Sequence, residues 1–103
     1  MMSTKLRRAL AVRDAVLPWL SEHGTLVAAV GPKGGKPGAA LHATIGGFEI
    51  WCQTPFKGFP YGLQIPGCMI LEWADDGRAD FSFRAGKWDA ALLRELDKEG
   101  VSL

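Results

Sequence analysis

The residues with the widest chemical reach are few. They are two cysteines (Cys52, Cys68), two histidines (His23, His42) and three carboxylates on the polar faces of candidate strands (Glu49, Glu72, Asp80). The cysteines form no CxxC pair and no Cys/His cluster surrounds them, so zinc spacing is absent. One disulfide is arithmetically possible, but two reduced thiols in a cytoplasmic protein is the simpler reading. Ser82, Cys52 and Cys68 have no assignable histidine and acid partners, and neither GxSxG nor HExxH occurs. The carboxylates have one specific prospect: across a strand pair, Glu72 opposite Asp80 would place like charges together, as an acid–base pair or a cation site requires. With His42 and Glu49, they define a small-enzyme alternative.

Two segments suggest recognition instead. Residues 31–38 read Gly-Pro-Lys-Gly-Gly-Lys-Pro-Gly. Backbone amides in such a loop can cradle phosphate, and Lys33 and Lys36 supply charge. It is not a Walker A loop, because Val30 and Pro37 stand where Gly and Ser or Thr would be needed. Residues 55–62 interleave Phe56, Phe59 and Tyr61 with Pro55, Lys57, Gly58 and Pro60. Exposed, these rings beside a cation can stack on bases or anchor a partner; tucked in, they close the edge of the core.

These groups must be positioned by helices and strands. Residues 5–23 carry Leu6, Leu10, Leu17 and Leu20 at helical spacing, widened by Ala9, Val12 and Val16. Ser3 or Thr4 suits the N-cap, and Gly24 the left-handed position after the last turn. Pro18 predicts a kink or a break into two helices. Residues 25–30 form a short apolar strand. Residues 41–52 predict a hairpin about Gly46-Gly47, with Ile45 facing Phe48, Ala43 facing Ile50 and Leu41 facing Cys52. His42, Thr44, Glu49 and Trp51 then share the other face. Residues 53–67 read as irregular, with brief pairing at 63–65. Residues 68–84 predict a second hairpin about Asp75-Asp76-Gly77. A three-residue loop with Gly77 left-handed gathers Met69, Leu71, Trp73, Ala79, Phe81 and Phe83 on one face; a two-residue turn would mix Glu72 among them. Residues 88–99 form a last helix on Trp88, Leu92 and Leu96, and Gly100 with Val101 predicts a Schellman end.

Helix, hairpins, helix is the order of an α+β domain: an antiparallel sheet of about five strands, an N-terminal and a C-terminal helix packed on one face, and the other face open. The 103 residues suit a single domain, residues 1–103, and 48% hydrophobic content excludes general disorder. A net charge of +1 builds in no strong attraction to nucleic acid or anionic membrane. Arg13 and Asp14 interrupt the apolar run that follows Lys5, Arg7 and Arg8, and no stretch is long enough to span a bilayer, so a cytoplasmic protein is expected.

With no catalytic constellation and no cofactor motif, the expectation is a small non-enzymatic binding protein that self-associates as a dimer. Its recognition surfaces would be Trp51 on the open sheet face and Phe56, Lys57, Phe59 and Tyr61 in the aromatic loop. The alternative partner is nucleic acid, gripped by Lys33 and Lys36 with the loop aromatics stacking.

Overall fold

The computed structural model describes residues 3–29, 38–54, 59–83 and 88–101. Its order is α1 (Thr4–His23), β1 (Thr25–Ala29), β2 (Gly38–Ile45), β3 (Phe48–Thr54), β4 (Tyr61–Ile65), β5 (Met69–Trp73), β6 (Ala79–Phe83) and α2 (Trp88–Lys98). The strands form one antiparallel sheet in which sequence neighbours are spatial neighbours, β1 through β6. This is the expected α+β architecture with one strand more than the sequence suggested. The addition is β4, which pairs over its whole length with β5 and joins the two hairpins. Among the described residues, no helix is long and apolar enough to cross a membrane.

Both hairpins have the expected register. Ile45 pairs with Phe48 around Gly46 and Gly47, whose φ values of +51° and +89° provide the turn. Trp73 pairs with Ala79, and Gly77 at φ +92° ends the three-residue loop. Between them, Ile65-Pro66-Gly67-Cys68 closes β4 onto β5: the Cys68 N–H donates to the Ile65 carbonyl at 2.9 Å, and Gly67 has φ +82°. Proline followed by a positive-φ glycine is the chemistry of a type II turn.

One continuous cluster fills the space between the sheet and the helices. From the sheet come Ile45, Ile50, Leu63, Ile65, Met69 and Leu71, and from α2 Leu92 and Leu96. Each fully buried aliphatic side chain contributes roughly 1.5–3 kcal/mol. The α1 stripe is rotated from the expected leucine row. Ala9, Val12, Val16 and Leu20 are buried, whereas Leu6 and Leu10 are only partly covered and Leu17 is half-buried. Short side chains let the helix lie close to the sheet, and the longer leucines fill the rims.

The helix ends differ from each other. The Ser3 hydroxyl accepts from the Leu6 N–H at 3.1 Å, a regular N-cap. The helix runs through Pro18 as one element, so of the two expected outcomes, a kink or a break, the break does not occur; Pro18 lies on the exposed side, where a freed carbonyl can be hydrated. Gly24 is not left-handed. Its φ is −76° and its backbone is extended. Glycine is required there for space, since a Cβ would sit 2.5 Å from the Leu20 carbonyl oxygen. At the end of α2 the expected Schellman cap is present: Gly100 at φ +79°, its N–H on the Asp97 carbonyl at 3.0 Å and the Val101 N–H on the Leu96 carbonyl at 2.9 Å. The Trp88 side chain falls outside the described residues.

Candidate docking surface

Because the sheet is a simple meander, its open face can be read row by row from the register. One row runs Thr25, His42, Trp51, Gln64, Ile70, Ser82. The next runs Val27, Ala40, Gln53, Gly62, Glu72, Asp80. Both rows cross all six strands. Both helices contribute to the core on the opposite face, and the first row is the more open of the two: in the second, Ala40 is 1% exposed and Gly62 is buried.

The centre of the first row is an aromatic pair. The His42 and Trp51 rings lie 4.0 Å apart, tilted by 35°, because the β2–β3 register sets them directly opposite. Glu49 Oε1 lies 3.3 Å from His42 Nε2, within ion-pair distance, but this buried nitrogen makes no hydrogen bond. Glu72 stands opposite Asp80, as the loop length requires. The Asp80 carboxylate accepts from the Phe81 N–H at 3.0 Å and is otherwise exposed. The carboxylates on these two rows and the adjoining Thr44–Glu49 pair are Glu49, Glu72 and Asp80.

A cavity of about 250 Å³ opens beside the first row at the β4–β5 turn, lined by Gln64, Ile70 and Ser82 and by the turn itself, Pro66 to Cys68. It is smaller than the roughly 300–1,000 Å³ of a small-molecule site and matches one or two side chains. A shallower recess of about 390 Å³ lies at the free end of β2, among Trp19, His23, His42, Thr44 and Glu99. Trp19 Nε1 there is buried without a hydrogen-bond partner.

The aromatic segment does not join this surface as a unit. Tyr61 belongs to β4, not to a loop, and pairs with Trp73 on the helix-bearing side. Its ring stacks on Trp73 at 5.7 Å, and the Arg13 guanidinium lies 5.1 Å from the Trp73 ring. The Tyr61 hydroxyl donates to Asp75 Oδ2 at 3.2 Å, and that bond, with the carboxylate's charge, pushes the phenol pKa up. Phe59 lies beneath Arg78, whose guanidinium is 5.5 Å from the ring. These two aromatics are therefore half-buried and tied to the β5–β6 turn. Trp51 is on the opposite side of the sheet from Tyr61. Phe56, Lys57, Lys33 and Lys36 lie outside the described residues. The Lys5, Arg7 and Arg8 group is on α1, across the sheet from Trp51.

Cys52 and Cys68 are both free thiols, and burial raises the pKa of each. Among the described residues, no group of three or more His, Cys, Asp or Glu is arranged to hold a metal ion. The sequence pattern places His42, Thr44, Glu49 and Trp51 on one face of the first hairpin, and Ile70, Glu72, Ala74, Arg78, Asp80 and Ser82, with Arg84 at the end, on one face of the second; Arg84 lies outside the described residues. That reading misses that β4 joins them into one surface, with Gln64 and Gly62 at the seam. The alternation of Tyr61, Leu63 and Ile65 was the available signal. The sequence matches no family model, and neither a curated protein nor a solved structure matches it.

Proposed function

We propose that the protein is a small non-enzymatic docking module that holds a partner protein's surface segment on the open face of its sheet. One observation carries this reading: a six-residue row with a half-buried tryptophan–imidazole pair near its centre and a side-chain-sized cavity beside it. A tryptophan facing away from the core beside a concave seat is the pattern of an interface anchor.

The chemistry of the face selects the partner. Val27, Trp51 and Ile70 offer apolar contact, while Glu49 and Asp80 place exposed negative charge on it. The matching segment has an apolar or aromatic anchor flanked by lysine or arginine. A second copy laid face to face would bring Glu49 and Asp80 of both chains into one interface, which disfavours that arrangement. The exposed carboxylates Glu49 and Asp80 likewise disfavour a phosphate backbone on the described part of this face.

Size sets the affinity. With strands about 4.8 Å apart and about 3.3 Å per residue, the two rows span about 400 Å² on each partner. The total, about 800 Å², is below the usual 1,200–2,000 Å² and belongs to transient complexes.

The test is a titration of isotope-labelled protein with three probes: an amphipathic peptide carrying a tryptophan or leucine anchor with lysines, the same peptide with glutamates, and a single-stranded oligonucleotide. The expected result is salt-sensitive binding of the lysine peptide, with shifts at His42, Trp51, Gln64 and Ile70 that disappear in Trp51→Ala. Silence of these rows toward both peptides would overturn the proposal. Oligonucleotide shifts centred on the same rows would replace it with the nucleic-acid reading.

A further inference from the structure

The core-side row nearest the middle of the sheet reads Leu26, Leu41, Cys52, Leu63, Leu71, Phe81. Every position is apolar. Leu63 and Leu71 are fully buried, and Leu41, Cys52 and Phe81 pack against the core. Leu26 does not follow. It is 69% exposed, and it alone among the described large hydrophobic residues is exposed. The row runs out from under its helices at β1, which is the edge of the sheet.

The two edges are built differently. On β6, Asp80 sits within the strand, and α1 packs along it. On β1 the sequence Thr-Leu-Val-Ala-Ala carries no charge and no proline, and its pairing with β2 is continuous from Thr25 to Ala29 without a bulge. Charge, proline and bulges are the devices that keep an edge from pairing. Among the described residues, the edge with the exposed leucine has none of them.

We infer that the outer edge of β1 pairs antiparallel with β1 of a second copy about a two-fold axis at Val27. Val27 then faces its own counterpart, and Leu26 faces Ala28 of the other chain. The two Leu26 side chains become diagonal neighbours on the helix-bearing side, within reach of one another. A second copy is the fitting occupant because a neutral strand is compatible with itself, a two-fold axis closes the contact, and the apolar row continues across it. The sheet doubles in width, and the open faces of the two copies lie side by side. A five-residue strand pair with one leucine from each chain is a small contact, so the dimer is concentration-dependent. This pairing does not rest on what docks to the open face.

The test is sedimentation velocity from about 1 µM to about 1 mM, the span that such contacts occupy. Wild type is expected to pass from monomer to dimer. Leu26→Lys, at an exposed side chain, is expected to weaken the dimer by about a hundredfold, since both copies place a charge in the apolar row. Its melting temperature as a monomer should be unchanged. Val27→Cys is expected to cross-link to itself under mild oxidation, in a Cys52→Ser/Cys68→Ser background, because residues directly opposite have the Cα spacing a disulfide requires. A monomer throughout the range would overturn the inference. So would a dimer that survives Leu26→Lys and is lost in Trp51→Ala, which would move the contact to the open face.

Discussion

Gly24 is where the structure departs most informatively from sequence expectation, and replacing it with alanine separates the two accounts. An alanine Cβ would lie 2.5 Å from the Leu20 carbonyl oxygen and 3.0 Å from Leu20 Cδ1. That oxygen also accepts the Gly24 N–H at 2.7 Å, the last bond of α1. Relieving the clash means moving the carbonyl and stretching this bond. The cost is the overpacking term, about 1–3 kcal/mol, partly offset by the 0.4–1 kcal/mol that alanine gains through a less flexible unfolded chain. The net is a loss centred on about 1.3 kcal/mol, within about 0–2.6 kcal/mol. With an unfolding entropy of about 2.1 cal/mol/K per residue, the melting temperature should fall by about 6 °C. Asparagine supplies the discriminating variant. At a left-handed glycine, asparagine is better tolerated than alanine, because its side chain can bond locally. At Gly24 the backbone is extended, so Gly24→Asn meets the same Leu20 oxygen and should be no better than Gly24→Ala. Gly100, at φ +79° with open space around it, should show asparagine superior to alanine. Thermal unfolding of the four variants by circular dichroism decides the matter. A neutral Gly24→Ala, or rescue by Gly24→Asn, would refute the close-approach account and restore the left-handed cap.

Leu63 is fully buried in the middle of the sheet between Cys52 and Leu71, so Leu63→Ala should lose about 2–5 kcal/mol in denaturant unfolding; a loss under about 1 kcal/mol would show that the site collapses freely. Ser3→Ala should cost about 1 kcal/mol and speed hydrogen exchange in the first turn of α1, most at the Leu6 amide that Ser3 accepts from; unchanged exchange there would remove the cap from the account. Asp76 accepts from the Arg78 N–H at 3.0 Å and from Arg78 Nε at 2.8 Å, and these bonds hold its pKa below the ordinary 3.8. A depressed folded pKa contributes stability above the unfolded value and loses it as pH falls through the folded one, so Asp76→Asn should flatten the stability profile below about pH 4 and leave its slope near neutral pH unchanged.

The hairpins were legible because two constraints agree at each. Gly46-Gly47 and Gly77 fix the turns, and a slip of one residue would have put Trp51 or Glu72 among the core side chains. The second helix was legible through its cap as well as its stripe. The first helix was legible in its extent, but its stripe was centred too far toward Leu6, Leu10 and Leu17, since periodicity weighs leucine above alanine. Contact with the sheet instead favours Ala9, Val12 and Val16, whose small volume permits close approach. β4 was underread because its five residues sit between Pro60 and Pro66-Gly67 in a proline- and glycine-rich stretch that reads as loop, although Tyr61, Leu63 and Ile65 alternate with Gly62 and Gln64. Grouping Tyr61 with Phe56 and Phe59 as one loop followed from that omission. The candidate surface was visible only as two half-faces, because nothing local in a sequence states the order of two hairpins within a sheet.

The meander order also bears on how the molecule divides its contacts. In a meander, β1 and β6 are the edges, so the same strand carries Val27 into the open face and Leu26 into the core-side row. Negative charge on the open face, at Glu49 and Asp80, acts against stacking two such faces, while the uncharged β1 edge has nothing to oppose its own image. Self-pairing and partner docking therefore draw on different physical terms: backbone hydrogen bonds with apolar continuity at the edge, and an aromatic anchor with opposite charge on the face. Because the first contact lies in the plane of the sheet and the second perpendicular to it, neither obstructs the other. Pairing at β1 would set two docking faces beside each other with the same exposure, the geometry in which a partner presenting two such segments gains from a high effective concentration at the second site.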